Sequence, residues 1–318
     1  MRSRVGKAVI VLLAAGSWAC VRPAIKSTAE GPLSPAELAA FWQDVDPRSR
    51  DLRHGVGGKP VHPDPEALYD AIGKDTGGFS VSYDVRDSAG VEWSVKVGEE
   101  AQSEVTSSRL VWAMGYHQPP VSYLARWRLR EGDQDAVRTV EGGRFRPKLP
   151  TFDNADIWSW YQNPFVDTQA YRGLLVLMML LNSTDLKDEN NAIYERRDGE
   201  RLVARWYVVK DLGASLGTTG RLYPKRNDVG EFERHGFIEK VENGRVRFAY
   251  RGRHQQLLRS ITPADVVWMC KRLQRLTKEQ WRDAFRAGGY DEATTARYIR
   301  VFERKIAEGL VLGKEPRG

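Results

Sequence analysis

The sequence predicts an α+β fold of two lobes, a small β-rich N-lobe followed by a larger α-helical C-lobe. Three observations predict it. Segments with strand-like alternation crowd between residues 68 and 149, and segments with helical spacing dominate after Pro150. The chain also has 318 residues, 41% of them hydrophobic, enough to bury a sizeable core. Two unlike lobes imply a cleft between them, where ligand sites form.

At the N-terminus, Arg2, Arg4 and Lys7 precede an apolar run over 8–16, and small residues lead up to Cys20. This is the layout of a secretory signal peptide over 1–20, too short to span a bilayer. Cys20 stands where bacterial lipoproteins carry their acylated cysteine, and plain cleavage beside Ala19 is the alternative. The expectation is an exported bacterial protein, periplasmic or anchored to a membrane only through a lipid on Cys20. The one other cysteine, Cys270, lies in an apolar helical stretch and reads as a buried structural thiol, so no disulfide framework is expected.

Residues 21–64 read as a polar extension with one short helix over 35–43, capped by Ser34. The glycines at 55, 57 and 58 lack Walker spacing and read as a turn. The N-lobe is expected over 65–150, with strands at 68–72, 79–85, 91–97, 121–129 and 144–149. A helix over 100–116 carries Val105, Leu110, Val111 and Met114 at helical intervals and stops at Gly115. The C-lobe is expected over 151–318. It begins with an apolar helix at 168–181, continues with a turn at 197–199 and a strand at 202–209, and ends in helices at 263–276, 278–287 and 291–308.

The net charge is +7, with both signs interspersed among 29% charged residues. No basic run with interleaved aromatics stands out, so nucleic acid is not an expected partner. The five histidines, at 54, 62, 117, 235 and 254, are too scattered for a zinc site.

One set of residues carries chemistry when taken in order. Lys96 ends a strand, and Glu104 lies eight residues on in the following helix, where it can turn back to the lysine. Gly77 and Gly78 fall between the two preceding strands, where backbone amides can approach phosphate. Asp185-Leu186-Lys187-x-x-Asn190 follows the buried helix, and Asp211-Leu212-Gly213 follows a strand, with a hairpin expected between them.

Over residues 68–216 this order resembles the protein-kinase-like superfamily, closest in style to its HipA-like and secreted atypical branches. The resemblance implies ATP and Mg2+, with Lys96 on the phosphates, Glu104 fixing Lys96, and Gly77 and Gly78 in the phosphate loop. It also implies Asp185 as the base for a hydroxyl-bearing acceptor, Lys187 on the transferring phosphate, and Asn190 with Asp211 on the metal. Ser183-Thr184 stand where typical kinases have His-Arg, and no Ala-Pro-Glu follows. Two other readings use the same stretch. One is an exported pseudokinase that binds without turnover. The other is a serine hydrolase built on Gly213-Ala214-Ser215-Leu216-Gly217, with Asp228 and His235 following in the order that fold requires.

Overall fold

The computed structural model describes residues 24–132, 136–149, 153–220 and 224–314. The expected signal segment 1–20, with Cys20, lies outside them. The described chain forms a bilobed α+β fold. In the small lobe, β2 (Leu68–Asp75), β3 (Val81–Arg86) and β4 (Glu92–Val97) form an antiparallel meander. Helix α2 (Glu100–Ala113) follows, then β5 (Ser122–Tyr123), the hairpin of β6 (Arg126–Arg130) and β7 (Val137–Glu141), and β8 (Arg144–Pro147). The sheet order is β5-β8-β4-β3-β2-β6-β7. Among the described residues of this sheet only β2 and β6 pair in parallel, which sets the β6–β7 hairpin at its edge.

Strand alternation sorts the two faces of this sheet. Trp93 and Val95 point into a core with Tyr69, Val85, Trp127, Leu129 and Phe145. Trp127 sits edge-on to Phe145 at 5.2 Å, an arrangement aromatic rings favour. The intervening residues of β4, Ser94 and Lys96, are thereby turned to the opposite face, toward α2.

The larger lobe is built on α3 (Gln169–Leu180), which Thr168 caps and which is buried along nearly its whole length. Against it packs α5 (Pro263–Leu273), α7 (Glu292–Val311) packs on α5, and α4 (Val229–Arg234) and α6 (Lys278–Ala287) pack on α7. Capping boxes at Thr262 and Thr277 start α5 and α6. Small sheets complete the lobe. One has the order β12-β11-β9, from β9 (Asp153–Asp156), β11 (Asn191–Asp198) and β12 (Arg201–Val209). Another is the hairpin of β13 (Ile238–Glu242) and β14 (Arg245–Phe248). On α7, the fully buried Lys305 ammonium reaches the orphan carbonyl of Leu180 at 3.1 Å and Asn182 Oδ1 at 2.7 Å. Burial pushes that amine well below its usual pKa.

The segment before residue 65 departs from a simple polar extension. Its helix, α1, is short (Pro35–Ala39), with Ser34 and Glu37 forming a capping box. Lys26 and Ser27 (β1) pair with Gln162 and Asn163 (β10). Phe41 then stacks on Phe165 at 4.5 Å, and Arg272 grips Asp44 at 2.7 Å. The fully buried Arg109 of α2 donates to His54 O at 2.9 Å. The segment thus packs onto both lobes. Cys270 is buried, and its thiol is pushed up to about 12 by burial. Among the described residues no helix is long and apolar enough to cross a membrane.

Burial lowers the pKa of three histidines, His62, His117 and His235, the last to about 4 with help from the Lys305 charge. A histidine held neutral in the fold gains a proton on unfolding near pH 6.5, so its stabilisation is complete above that value. It is lost as the pH falls from about 6.5 toward about 4 for His235. The melting temperature, followed by circular dichroism, is therefore expected to fall across this window and to fall less in His235→Asn. A flat profile would contradict the burial of these rings.

Candidate active site

Lys96 occupies the third strand of the small-lobe meander, on the face turned away from the aromatic core. Its ammonium lies 2.9 Å from Glu104 Oε2, an ion pair without hydrogen-bond alignment, and 3.6 Å from Glu100 one helical turn earlier. It donates to both carboxylate oxygens of Asp211 at 2.9 Å. Burial works against the Lys96 charge, but Glu104 and Asp211 outweigh it and raise its pKa. Burial also opposes ionisation of Asp211, yet Lys96 and the Gly213 amide hold that carboxyl down to about 2. Asp211 is accordingly a carboxylate at any ordinary pH.

Glu104 is 1% exposed and meets two further cations, Arg144 Nε and Arg146 Nη2, each at 2.9 Å. Strand register explains why. Lys96 pairs with Arg144 and Ser94 with Arg146, so all four side chains share the face toward α2. Arg146 also donates to Lys210 O at 2.6 Å, beside Asp211.

Helix α2 has almost no apolar stripe, although nearly all of it is buried. Its serines hold the segment at 211–215 instead. Ser103 donates to Gly213 O at 2.7 Å, and Ser107 Oγ meets Ser215 Oγ at 2.7 Å, while Ser215 donates to Leu212 O at 2.6 Å. The approach is close enough that a Cβ at Gly213 would stand 2.6 Å from Glu100 Cβ. Glycine is needed here for space.

Asp185 follows α3 on a loop with Asn182 in the left-handed region, φ 52°. Asn182 donates to Gly217 O at 2.7 Å, tying the loop to the segment after Asp211-Leu212-Gly213. Lys187 reaches Asp185 at 3.1 Å, and Asn190 Nδ2 donates to Asp185 O at 2.9 Å. The Asn190 carbonyl accepts from the Lys210 and Asp211 amides at 2.9 and 3.2 Å, which sets Asn190 beside Asp211. The hairpin expected between Asp185 and Asp211 is present as β11 and β12.

Gly77 and Gly78 lie in the turn between β2 and β3, as expected. Neither has a positive φ, and a Cβ at Gly78 would meet nothing nearer than Ser80 O at 3.7 Å. The turn does not require glycine at 78, whereas a Cβ at Gly77 would press on Asp75 Oδ1 at 3.3 Å. The hydrolase arrangement is absent. Ser215 is 1% exposed and bonded to Ser107 and Leu212, His235 Nε2 meets Thr219 at 3.0 Å, and the described residues 216–220 directly after Ser215 are not helical. Among the described residues no group of three or more His, Cys, Asp or Glu side chains is arranged to hold a metal ion. A metal here would rely on Asp211 together with an amide oxygen. Sequence reasoning missed Arg144 and Arg146, whose alternation about Phe145 marks a strand with a charged inner face, and missed Glu100.

No family model matches this sequence, and no curated protein matches it. Solved structures are similar at low identity. The Helicobacter pylori proinflammatory kinase CtkA matches at 9% identity, 79% of this chain, 98% of that one and a TM-score of 0.43. The Golgi casein kinase with Mn/ADP bound matches at 10%, 81%, 75% and 0.39. The Rio2 kinase–ADP/Mg2+–phosphoaspartate complex from Chaetomium thermophilum matches at 12%, 80%, 71% and 0.32. Likeness at this level carries nothing about the chemistry of this chain, which rests on its own side chains.

Gly213→Ala is expected to push α2 off the segment at 211–215 and destabilise the protein by about 1–3 kcal/mol, as overpacking does. Gly78→Ala should stay within about 0.5 kcal/mol, as ordinary surface substitutions do. Urea unfolding checks both, and equal costs would contradict the close approach of α2.

Proposed function

We propose that this protein is an atypical kinase-like phosphotransferase that moves the γ-phosphate of ATP, with Mg2+, to a hydroxyl acceptor. The observation that carries the proposal is the convergence of Lys96, Glu104 and Asp211 from a strand, a helix and the start of Asp211-Leu212-Gly213. Kinases need these parts in these relations, with the lysine on a small-lobe strand, the glutamate on the next helix and the metal-binding aspartate across the cleft.

The donor set fits a hard divalent cation. Asp211 is ionised and about one-third exposed. Asn190 spends its Nδ2 on Asp185 O, which leaves Oδ1 as its acceptor atom. Asp211 and Asn190 would hold the metal, whose charge would offset that of the nucleotide phosphates. Lys96, freed from Asp211, would hold the phosphates while Glu104 keeps it oriented. Asp185 would take the proton as the acceptor oxygen bonds to the γ-phosphorus and the bond to the bridging oxygen breaks, releasing ADP. Lys187 would offset charge on the phosphoryl group in transit.

One feature favours a second reading, a cleft that binds without turnover: Lys96 already spends its charge on both Asp211 oxygens. The leader-like residues 1–20 extend the proposal to an exported protein, and fractionation of wild type against Cys20→Ala tests the lipid anchor.

Wild-type protein is expected to be stabilised thermally by Mg-ATP, and Asp211→Asn to lose the magnesium-dependent part. Asp185→Asn should keep binding while transfer to added hydroxyl acceptors falls about 10²–10⁴-fold, the usual worth of a positioned base. Binding without transfer in wild type would leave the second reading. Absence of any Mg-ATP effect would sink both.

A further inference from the structure

Beside the Lys96–Asp211 contact stands a second ionic group. Glu100, at the start of α2, accepts from Arg226 at 2.5 Å and from Ser80 Oγ at 3.0 Å, and lies 3.6 Å from Lys96. The Arg226 guanidinium stacks on Phe79 at 3.8 Å from the ring centroid. Phe79 and Ser80 belong to the β2–β3 turn, Glu100 to α2, and Arg226 to the segment after Asp211-Leu212-Gly213. Three elements that border Lys96 and Asp211 are thus clasped together.

Two features suit Arg226 to a second partner. Its backbone is fixed, since the Thr218 amide donates to Lys225 O and the Asn227 amide to Ser215 O. A Cβ at Gly217 would stand 2.0 Å from Lys225 O, so the two runs of chain touch. Its side chain is less committed, because its Nε is buried without a hydrogen-bond partner. The cluster also carries unbalanced charge. Lys96, Arg144, Arg146 and Arg226 are four cations against the three carboxylates of Glu100, Glu104 and Asp211. One positive charge is left over, which attracts an anion.

We infer that Arg226 is a polyphosphate-binding residue that Glu100 holds in reserve, so that the clasp with Ser80 and Phe79 closes the cleft until a polyphosphate displaces Glu100 from the guanidinium. The inference rests on the proposed nucleotide site and adds to it a residue that the kinase resemblance does not supply. Arginine suits the role because its planar fork recognises phosphate oxygens in pairs. When Arg226 turns to phosphate, Glu100 keeps Ser80 and Lys96 as partners.

The test measures binding of inorganic tripolyphosphate to the full chain by calorimetry, with adenosine and Mg-ATP as comparators. Arg226→Gln should weaken tripolyphosphate about tenfold or more, the worth of a charge-assisted contact. Arg226→Lys should recover part of the loss. Glu100→Gln, which keeps the shape but removes the competing charge, should bind tighter than wild type. Adenosine should be indifferent to all three substitutions. Opposite shifts for the Glu100 and Arg226 variants support the clasp. Shifts in the same direction, no shift, or no tripolyphosphate binding in any variant overturns it. Circular dichroism of each variant separates lost binding from lost folding. Failure of Mg-ATP alone, with the opposite tripolyphosphate shifts intact, would overturn the kinase reading and leave the clasp standing.

Discussion

A carboxylate removed from water costs several kcal/mol unless cations and hydrogen bonds meet it, and much of this structure is arranged around one such group. Glu104 is 1% exposed and touches Lys96, Arg144 and Arg146. All three cations come from the neighbouring strands β4 and β8 by register, and Arg146 reaches on to the backbone just before Asp211. Removing Glu104 would leave three crowded cations with less to oppose them. The ion cluster therefore fixes where α2 sits against the sheet, and through Arg146 it fixes the sheet against the larger lobe.

The same constraint explains the composition of α2. A helix packed against apolar surface presents a stripe of Leu and Val, but α2 is buried on nearly all sides and faces backbone as well as side chains. Ser103 and Ser107 satisfy the carbonyl of Gly213 and the hydroxyl of Ser215, and Gly213 lets the helix come within contact of Asp211-Leu212-Gly213. Helix position, lysine position and aspartate position are thus one mechanical unit. The larger lobe contributes a second polar tie, in which Lys305 caps α3 and orients Asn182 ahead of Asp185.

The elements with strong periodicity were legible in sequence. The β2–β3–β4 meander, α2, α3 and the three final helices all stand within a few residues of their expected bounds, since alternation, apolar spacing and caps are local signals. The short pieces were not read. Strand β7 is exposed on four of its five residues and carries no apolar alternation. The β13–β14 hairpin did have a readable turn in Asn243-Gly244, both with positive φ. Within the site, the order of Lys96, Glu104, Asp185, Asn190 and Asp211 was visible because it follows motif spacing. Arg144 and Arg146 were not, because strand register decides where they point. The polar look of the segment before residue 65 also misled, since a few residues such as Phe41 and Leu52 suffice to anchor it.

The most direct test is a crystal structure of the wild-type chain with Mg2+ and a non-hydrolysable ATP analogue. The Lys96 ammonium should remain against Glu104 and exchange Asp211 for a phosphate oxygen, with the metal between Asp211 and Asn190. A structure in which Lys96 still grips both Asp211 oxygens, with no phosphate within reach, would contradict the account.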